Sequence, residues 1–253
     1  MIYKHGKHEI ELFDSIHDLP ILRFQRFNKY QMIASEIGNT FADFDQREQK
    51  AMQFIKKGMK EEALQEMENR RQAVFNAFNE FTPIGKSFAI LVKRIDSTNY
   101  ETFTPDNLDV CLQHLERIGL GNKSAIDKLQ EVKKKIETEL VVYFPVYFPK
   151  NGNTEMTALR IKRINSQLDS IINPDVNQEE NIFSIERDIL EQDKPNIWNV
   201  HKKGNMERVL EVDFQKFGIS VTQQTGTKLE EMSTFKFYAS VEFLTEKNSK
   251  NKN

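Results

Sequence analysis

The chain has 253 residues, a formal net charge of −2 and a single cysteine, Cys111. A chain of this length buries most of its surface without disulfides or metals, and one cysteine cannot form an internal disulfide, so a small secreted disulfide scaffold is excluded and a reducing compartment is expected. The near-neutral charge gives no electrostatic basis for a nucleic-acid partner, and the apolar stretches fall short of the roughly 18 residues of a membrane span.

The first half of the chain predicts a short extended start followed by helices. Residues 3–13 alternate weakly, with Ile10 and Leu12 on one side, which indicates a short strand or an extended arm. A helix is expected at 21–37, ended by Gly38. Helical apolar spacing continues at about 44–57, ended by Gly58, then at 59–81 and 84–95, at 105–118, ended by Gly119, and from Asn122 or Ser124 to 143. The side chains of 59–81 that are expected to face inward are Ala63, Met67, Val74, Phe78 and Phe81.

The second half begins where the prolines of the segment YFPVYFP, residues 143–149, end the preceding helix. Asn-Gly-Asn at 151–153 is the best boundary within the chain. Further helices are expected at about 154–172, 182–194 and 206–217. Residues 235–244 fit both the alternation of a strand and the spacing of a helix, and a helix is favoured because a lone strand has little to pair with.

These patterns predict an all-α, predominantly helical fold with a short N-terminal strand or extended arm. Four parts are expected along the chain: an N-terminal arm at 1–13, a helical body at 14–149, a second helical part at 150–246 and a disordered polar tail at 247–253. The sequence contains no repeat of fixed period, so a solenoid is not expected.

Two short motifs look like nucleotide-binding sequences but lack the necessary context. Residues 84–87, IGKS, match the end of a P-loop, yet Glu80 stands where the motif needs its first glycine, and a helix precedes it instead of a strand. Gly119-Leu120-Gly121 begins like a dinucleotide fingerprint, again after a helix. The end of a helix followed by a turn explains it better, and no cofactor is expected.

Candidates for metal binding and nucleophilic catalysis are also weak. His5, His8, Glu9 and Glu11 cluster near the N-terminus, but a structural zinc site needs four firmly held ligands, which a mobile arm does not provide. Cys111 lies on the apolar stripe of its helix, where a buried thiol is inert. No spacing singles out an acid–base pair. The chain is therefore not expected to be an enzyme, and an unfamiliar helical active site is the remaining alternative.

The aromatic segment 143–149 is the most unusual local feature, with four aromatic residues around two prolines. Either these rings cap the core of the protein itself, or they anchor a neighbouring subunit, since aromatic anchors dominate the energy of interfaces. The second interpretation, extended to the N-terminal arm, predicts subunit contacts at Ile10, Leu12, Phe13, Tyr143, Phe144, Tyr147 and Phe148.

Several stretches of the chain resemble a known family. The residues 8–16 (HEIELFDSI) and 19–30 (LPILRFQRFNKY), and further along VKKKIETEL from residue 132 running into YFP, resemble helical ring or neck proteins of tailed bacteriophages that infect Bacteroidetes, the crAss-like group. The likeness is clearest over 7–38 and weaker over 123–149. It consists of packing patterns and contains no chemical motif.

The resemblance implies a structural virion protein without a cofactor. Copies would form a homo-oligomeric ring, expected to be a dodecamer matched to the portal's symmetry, in the neck or tail below the portal. The implied partners are the protein itself, the portal and other neck and tail ring proteins, with transient, non-specific passage of DNA and no membrane. The protein would be made in the bacterial host cytoplasm and reside in the virion. The alternative is a transient assembly factor or scaffold that is absent from the mature particle.

Overall fold

The computed structural model describes residues 1–78, 82–101, 105–120, 122–150, 154–172, 176–198 and 201–250. It confirms the predominantly helical fold class. The strands are β1 (Ile2–His5), β2 (His8–Leu12), β3 (Val92–Ile95) and β4 (Thr98–Asn99). The helices are α1 (Ile21–Glu36), α2 (Phe41–Lys56), α3 (Lys60–Phe78), α4 (Pro83–Leu91), α5 (Pro105–Arg117), α6 (Asn122–Tyr143), α7 (Thr154–Ile172), α8 (Val176–Gln192), α9 (Met206–Thr225) and α10 (Thr234–Lys250).

The N-terminal residues belong to an antiparallel sheet with strand order β1-β2-β3-β4. Ile10 of β2 pairs with Ile95 of β3, and Ile10 and Leu12 are 0% and 1% exposed, so this segment is a strand and not an extended arm. The helix predicted through Ile95 was wrong in its last turn, because α4 ends at Leu91 and Val92–Ile95 pairs with β2. Branched side chains such as valine and isoleucine fit a half-buried sheet well.

The C-terminal helix α10 packs into the same core as the N-terminal half. Phe237, 1% exposed, belongs to the hydrophobic cluster that also contains Phe24 of α1. The Thr234 backbone N–H donates to the Leu19 carbonyl at 2.8 Å and ties the start of α10 to the entry of α1. The core therefore continues across the expected boundary at 151–153, which lies outside the described residues, and the division into two parts stays a prediction.

The segment 235–244 is helical, as favoured, and lies within α10. Phe237 and Val241, one turn apart, are both buried, whereas Phe243 is exposed, so the helical spacing and not the alternation decides which side chains face the core. The prediction of a disordered tail at 247–253 is wrong for residues 247–250, because α10 continues to Lys250. Residues 251–253 lie outside the described part of the chain.

Buried polar groups hold α2 and α3 together as a hairpin. Arg47 donates to the Glu66 carboxylate at 2.7 Å, although the Glu66 side chain is 0% exposed. On the same helix, the Asn69 side-chain amide donates to the backbone carbonyl of Asn196, which follows α8, at 3.2 Å. Met67 and Phe78, predicted to face inward, are instead 45% and 86% exposed, because these polar side chains occupy the inward side of α3. Ala63 is buried and Val74 partly buried, as predicted, and Phe81 lies outside the described residues.

The helices α7 and α8 pack on each other. Two ion pairs connect α2 and the residue after it with α8 and the residue after it. The Lys57 ammonium lies 2.7 Å from the Glu186 carboxylate, and that of Lys50 lies 2.9 Å from Asp193 just after α8. Among the described helices, none combines the length and the apolarity that crossing a bilayer requires.

The N-terminus of α2 has a complete capping box. The Thr40 hydroxyl accepts from the Asp43 N–H at 3.2 Å, and the Asp43 carboxylate accepts from the Thr40 N–H at 2.7 Å.

Thr40→Ala removes the first bond and is expected to lower the free energy of unfolding by about 1 kcal/mol. Urea unfolding followed by circular dichroism measures it. The control is Thr138→Ala, because that exposed hydroxyl bonds only to the Lys134 carbonyl within its own helix; an equal loss in both variants would contradict the prediction.

Candidate functional site

The side chains considered for chemistry are dispersed or engaged in structural contacts. Among the described residues, no group of three or more His, Cys, Asp or Glu side chains is placed to hold a metal ion. His8 Nδ1 lies 2.7 Å from the Asp96 carboxylate, which also accepts from the Glu9 N–H at 2.9 Å and thereby joins β2 to the turn after β3. Cys111 is buried, as predicted, and burial raises the pKa of its thiol to about 12, so the thiol stays protonated at neutral pH.

Both motifs with a likeness to nucleotide-binding sequences lie at helix ends. The IGKS segment at 84–87 falls within the first turns of α4, where the Thr82 hydroxyl caps the helix by accepting from the Gly85 N–H at 3.1 Å. Gly119 has a φ of +74° and follows α5, as expected for the end of a helix, while residue 121 of the same motif lies outside the described residues. Neither segment forms a strand–loop–helix cradle for phosphates.

The aromatic segment 143–149 caps the core of the protein itself, which was the first of the two interpretations. Phe144 is 2% exposed, and its ring centroid lies 5.5 Å from that of Phe235 and 5.6 Å from that of Tyr238, both on α10. The Phe148 ring lies 5.0 Å from Tyr238, edge to face. Aromatic pairs at these distances add to the free energy of burial, so the segment fastens α10 to the end of α6.

Four of the seven predicted contact residues are buried within the subunit: Ile10, Leu12, Phe13 and Phe144 are each 5% exposed or less. The Phe13 ring, for example, lies 5.0 Å from the buried guanidinium carbon of Arg23. The core accounts for these side chains, so we no longer assign them to a subunit contact. Contact at the other three stays a prediction: Tyr143 is exposed, and Tyr147 and Phe148 are partly buried.

A cleft of about 610 Å³ lies between α1 and α6, next to the start of α4. Its rim carries the polar side chains Gln31, Lys133 and Glu137. Its apolar floor is nearly closed, because the following side chains are each 4% exposed or less: Phe24, Phe27, Leu129, Ile136 and Leu140. The floor of this cleft therefore belongs to the core of the subunit.

The outer side of the α2–α3 hairpin exposes much more apolar surface. We call "hairpin face" the set of seven large apolar side chains there, each 45% exposed or more: Phe41, Met52, Ile55, Leu64, Met67, Phe75 and Phe78. On the opposite side, Lys50 of α2 pairs with Asp193 just after α8, and Lys57 at the C-terminal end of α2 pairs with Glu186 of α8. Glu62, on the opposite side of α3, pairs with Lys194. Helical periodicity therefore places all seven side chains on the side turned away from α8.

Apolar periodicity alone does not reveal the hairpin face, because an apolar stripe on a helix is ordinarily part of the core. On α3, Met67 and Phe78 were assigned inward together with Ala63, although they lie on different sides of the helix. The signal that was present is the set of polar residues between them, such as Glu66 and Asn69, which are buried at 0% and 2% exposure. One side of such a helix is mostly polar and another carries large apolar residues. From the sequence alone, either side could be the one that packs against the rest of the protein.

Comparison with known proteins identifies no relative of this chain. No family model, no curated protein and no solved structure matches the chain. The hairpin face is thus the candidate functional site on the geometry of this chain alone, and its chemistry is that of a protein–protein contact.

Proposed function

We propose that this protein is a structural virion protein of a crAss-like tailed phage, a subunit of a ring in the neck or tail below the portal. The observation that carries the proposal is the hairpin face, since exposed apolar patches of this kind mark protein–protein contacts. The resemblance of residues 7–38 and 123–149 to ring proteins of such phages supports this choice of assembly.

A ring requires each subunit to bury surface against its neighbours by contacts that close on rotation. Under the proposal, the partners are further copies of the chain, the portal and the adjacent neck and tail ring proteins. DNA passes through the ring without being held, and the net charge of −2 suits this role because retention of DNA needs an excess of Lys and Arg toward the phosphates.

Mass spectrometry of purified particles tests the proposed location. We expect the protein in mature virions at a copy number similar to that of the portal. Electron microscopy of necks released from particles is expected to show it in a closed ring. Its presence in infected cells together with its absence from virions would contradict the proposal and would support the alternative, a transient assembly factor or scaffold.

The double substitution Leu64→Glu/Phe75→Glu is expected to abolish incorporation into rings and particles, because it puts charged carboxylates in place of two exposed apolar side chains, 68% and 60% exposed, on the hairpin face. The midpoint of urea unfolding is expected to stay within error, since neither side chain lies in the core.

The matched control is Phe243→Glu, which alters a side chain that is 63% exposed on α10, away from the hairpin. Incorporation is measured in cells that express the variant during infection. Undiminished incorporation of the Leu64→Glu/Phe75→Glu protein would show that the hairpin face is not the assembly contact.

A further inference from the structure

The outer stripe of α3 has the spacing of a helix–helix seam. Leu64, Met67, Arg71, Phe75 and Phe78 follow one another at intervals of three, four, four and three residues. This spacing keeps all five on one side of a helix and is typical of the positions that pack against a second helix in coiled coils. α3 has 19 residues and is therefore about 28 Å long, long enough for such a seam.

The amount of apolar surface on the hairpin face matches what a stable dimer needs. Three of its side chains are phenylalanines, exposed at 85% for Phe41, 60% for Phe75 and 86% for Phe78. With the other four, the exposed area is on the order of 800 Å², above the roughly 300–600 Å² of the largest patch on a typical monomer. It equals the area of about 800 Å² that each partner buries in a standard interface.

Arg71 in the middle of the stripe and Glu68 beside it restrict the partner. Within the hairpin Arg47 pairs with Glu66 and Arg70 with Glu48, but no described residue forms an ion pair with Glu68 or Arg71. A parallel copy of α3, or an antiparallel copy centred on Arg71, places Arg71 against itself, which is unfavourable. An antiparallel copy centred between residues 69 and 70 places Glu68 opposite Arg71 on both sides of the two-fold axis.

The same antiparallel arrangement also brings apolar side chains together. With its centre between residues 69 and 70, Leu64 of one copy lies opposite Phe75 of the other, and the reverse pair forms at the other end of the seam. An isologous contact of this kind uses the same patch twice, so a single complementary pair of charges and a single complementary pair of apolar side chains each count double.

We propose that the free protein is a two-fold dimer in which the hairpin faces of two copies pack together with their α3 helices antiparallel, Glu68 of each copy opposite Arg71 of the other. The proposal rests on the proposed function in that it takes the hairpin face to be the assembly contact. The dimer covers this face before assembly, and the ring or the portal displaces the second copy.

Exchange of the two charges tests the register. Wild-type protein is expected to be a dimer at micromolar concentration in analytical ultracentrifugation and light scattering. Glu68→Arg and Arg71→Glu alone each place like charges together at two positions and are expected to weaken the dimer by about tenfold or more. The double variant Glu68→Arg/Arg71→Glu restores opposite charges and is expected to recover the wild-type dissociation constant to within a few-fold.

Cross-linking tests the direction of the helices. A mixture of Leu64→Cys and Phe75→Cys proteins is expected to form a disulfide-linked dimer on mild oxidation. Leu64→Cys protein alone is expected to remain unlinked, because the two copies of residue 64 lie ~16 Å apart along the seam. The native Cys111, 2% exposed, does not contribute.

Circular dichroism and urea unfolding of each variant establish that the subunit is folded. A monomeric wild-type protein, or a double charge variant no better than the single ones, would overturn the dimer proposal. Presence of the protein in virion rings would still support the proposed function in that case. Conversely, a dimer with the expected charge and cysteine behaviour, from a protein absent from virions, would leave the dimer standing and overturn the ring.

Discussion

Substitution of Arg23 by methionine is expected to lower the free energy of unfolding by about 3–5 kcal/mol, or to prevent folding altogether. The Arg23 side chain is 1% exposed and lies inside the core between α1, α4 and the strands that follow α4. Burial lowers the pKa of its guanidinium to about 10, so the group is still a buried cation at neutral pH.

Backbone carbonyls accept hydrogen bonds from this cation. The guanidinium donates to the carbonyls of Ile90 and Tyr100, and also to those of Val92 at 3.1 Å and Glu101 at 3.3 Å. Ile90 lies in the last turn of α4 and Val92 begins β3, and backbone carbonyls at a helix end lack helical partners. Methionine fills most of the volume but leaves these buried acceptors without donors, and each unsatisfied group costs about 1–3 kcal/mol.

Urea unfolding followed by fluorescence of Trp198 measures this effect. Arg187→Met on the exposed side of α8 is the control and is expected to change the free energy by less than about 0.5 kcal/mol. Arg23→Lys keeps the charge but presents a single nitrogen to carbonyls on two segments, so it is expected to fall between wild type and Arg23→Met. A loss of less than 1 kcal/mol in Arg23→Met would show that the carbonyls find other donors.

Substitution of Arg47 by methionine is expected to cost about 3–5 kcal/mol of stability, because it leaves the Glu66 carboxylate buried without its ionic partner. Glu66 is 0% exposed, and Arg47 Nη1 donates to its Oε1 at 2.7 Å. The second carboxylate oxygen, Oε2, has no hydrogen-bond partner among the described residues. Within the described part of the chain, the bond from Arg47 is therefore what stabilises the buried negative charge of Glu66.

A double-mutant cycle separates the ion pair from the packing. Arg47→Met/Glu66→Leu removes both charges and fills the site with apolar side chains, so it is expected to be more stable than Arg47→Met by at least about 2 kcal/mol. The pair Arg70 and Glu48, at 3.1 Å and more exposed, is the control, and its loss in Arg70→Met is expected to cost less than about 1 kcal/mol. Additive losses in the Arg47 and Glu66 variants would contradict a coupled buried pair.

The sequence predicted the positions of the helices well where the signals are local. Gly38, Gly58 and Gly119 end helices with φ values of +75°, +77° and +74°, in agreement with the expected stops. These conformations depend on the residue itself and on its immediate neighbours, so they can be read without knowledge of the rest of the fold. The same holds for the aromatic–proline segment, whose proline ends α6 at Tyr143.

The candidate site could not be predicted in the same way, because apolar spacing shows that a side of a helix is apolar but not which surface covers it. Met67 and Phe78 on α3 were expected in the core, and they are on the hairpin face instead. The side of α3 that faces the rest of the protein is the one with Glu66 and Asn69. These buried polar side chains are tolerated because Arg47 and the segment after α8, both distant in the sequence, provide their hydrogen-bond partners.

Caps, turn residues and apolar periodicity act over a few neighbouring residues, so these local signals were enough to predict a mostly helical chain, the ends of most helices and the burial of Cys111. The tertiary fold makes 92–95 a strand, since it pairs with residues 10–12, which are 80 or more positions earlier. It also decided that α10 shares the N-terminal core and that the hairpin face lies outside. These outcomes depend on which distant segments offer hydrogen-bond partners and complementary surfaces, and local spacing does not contain that information.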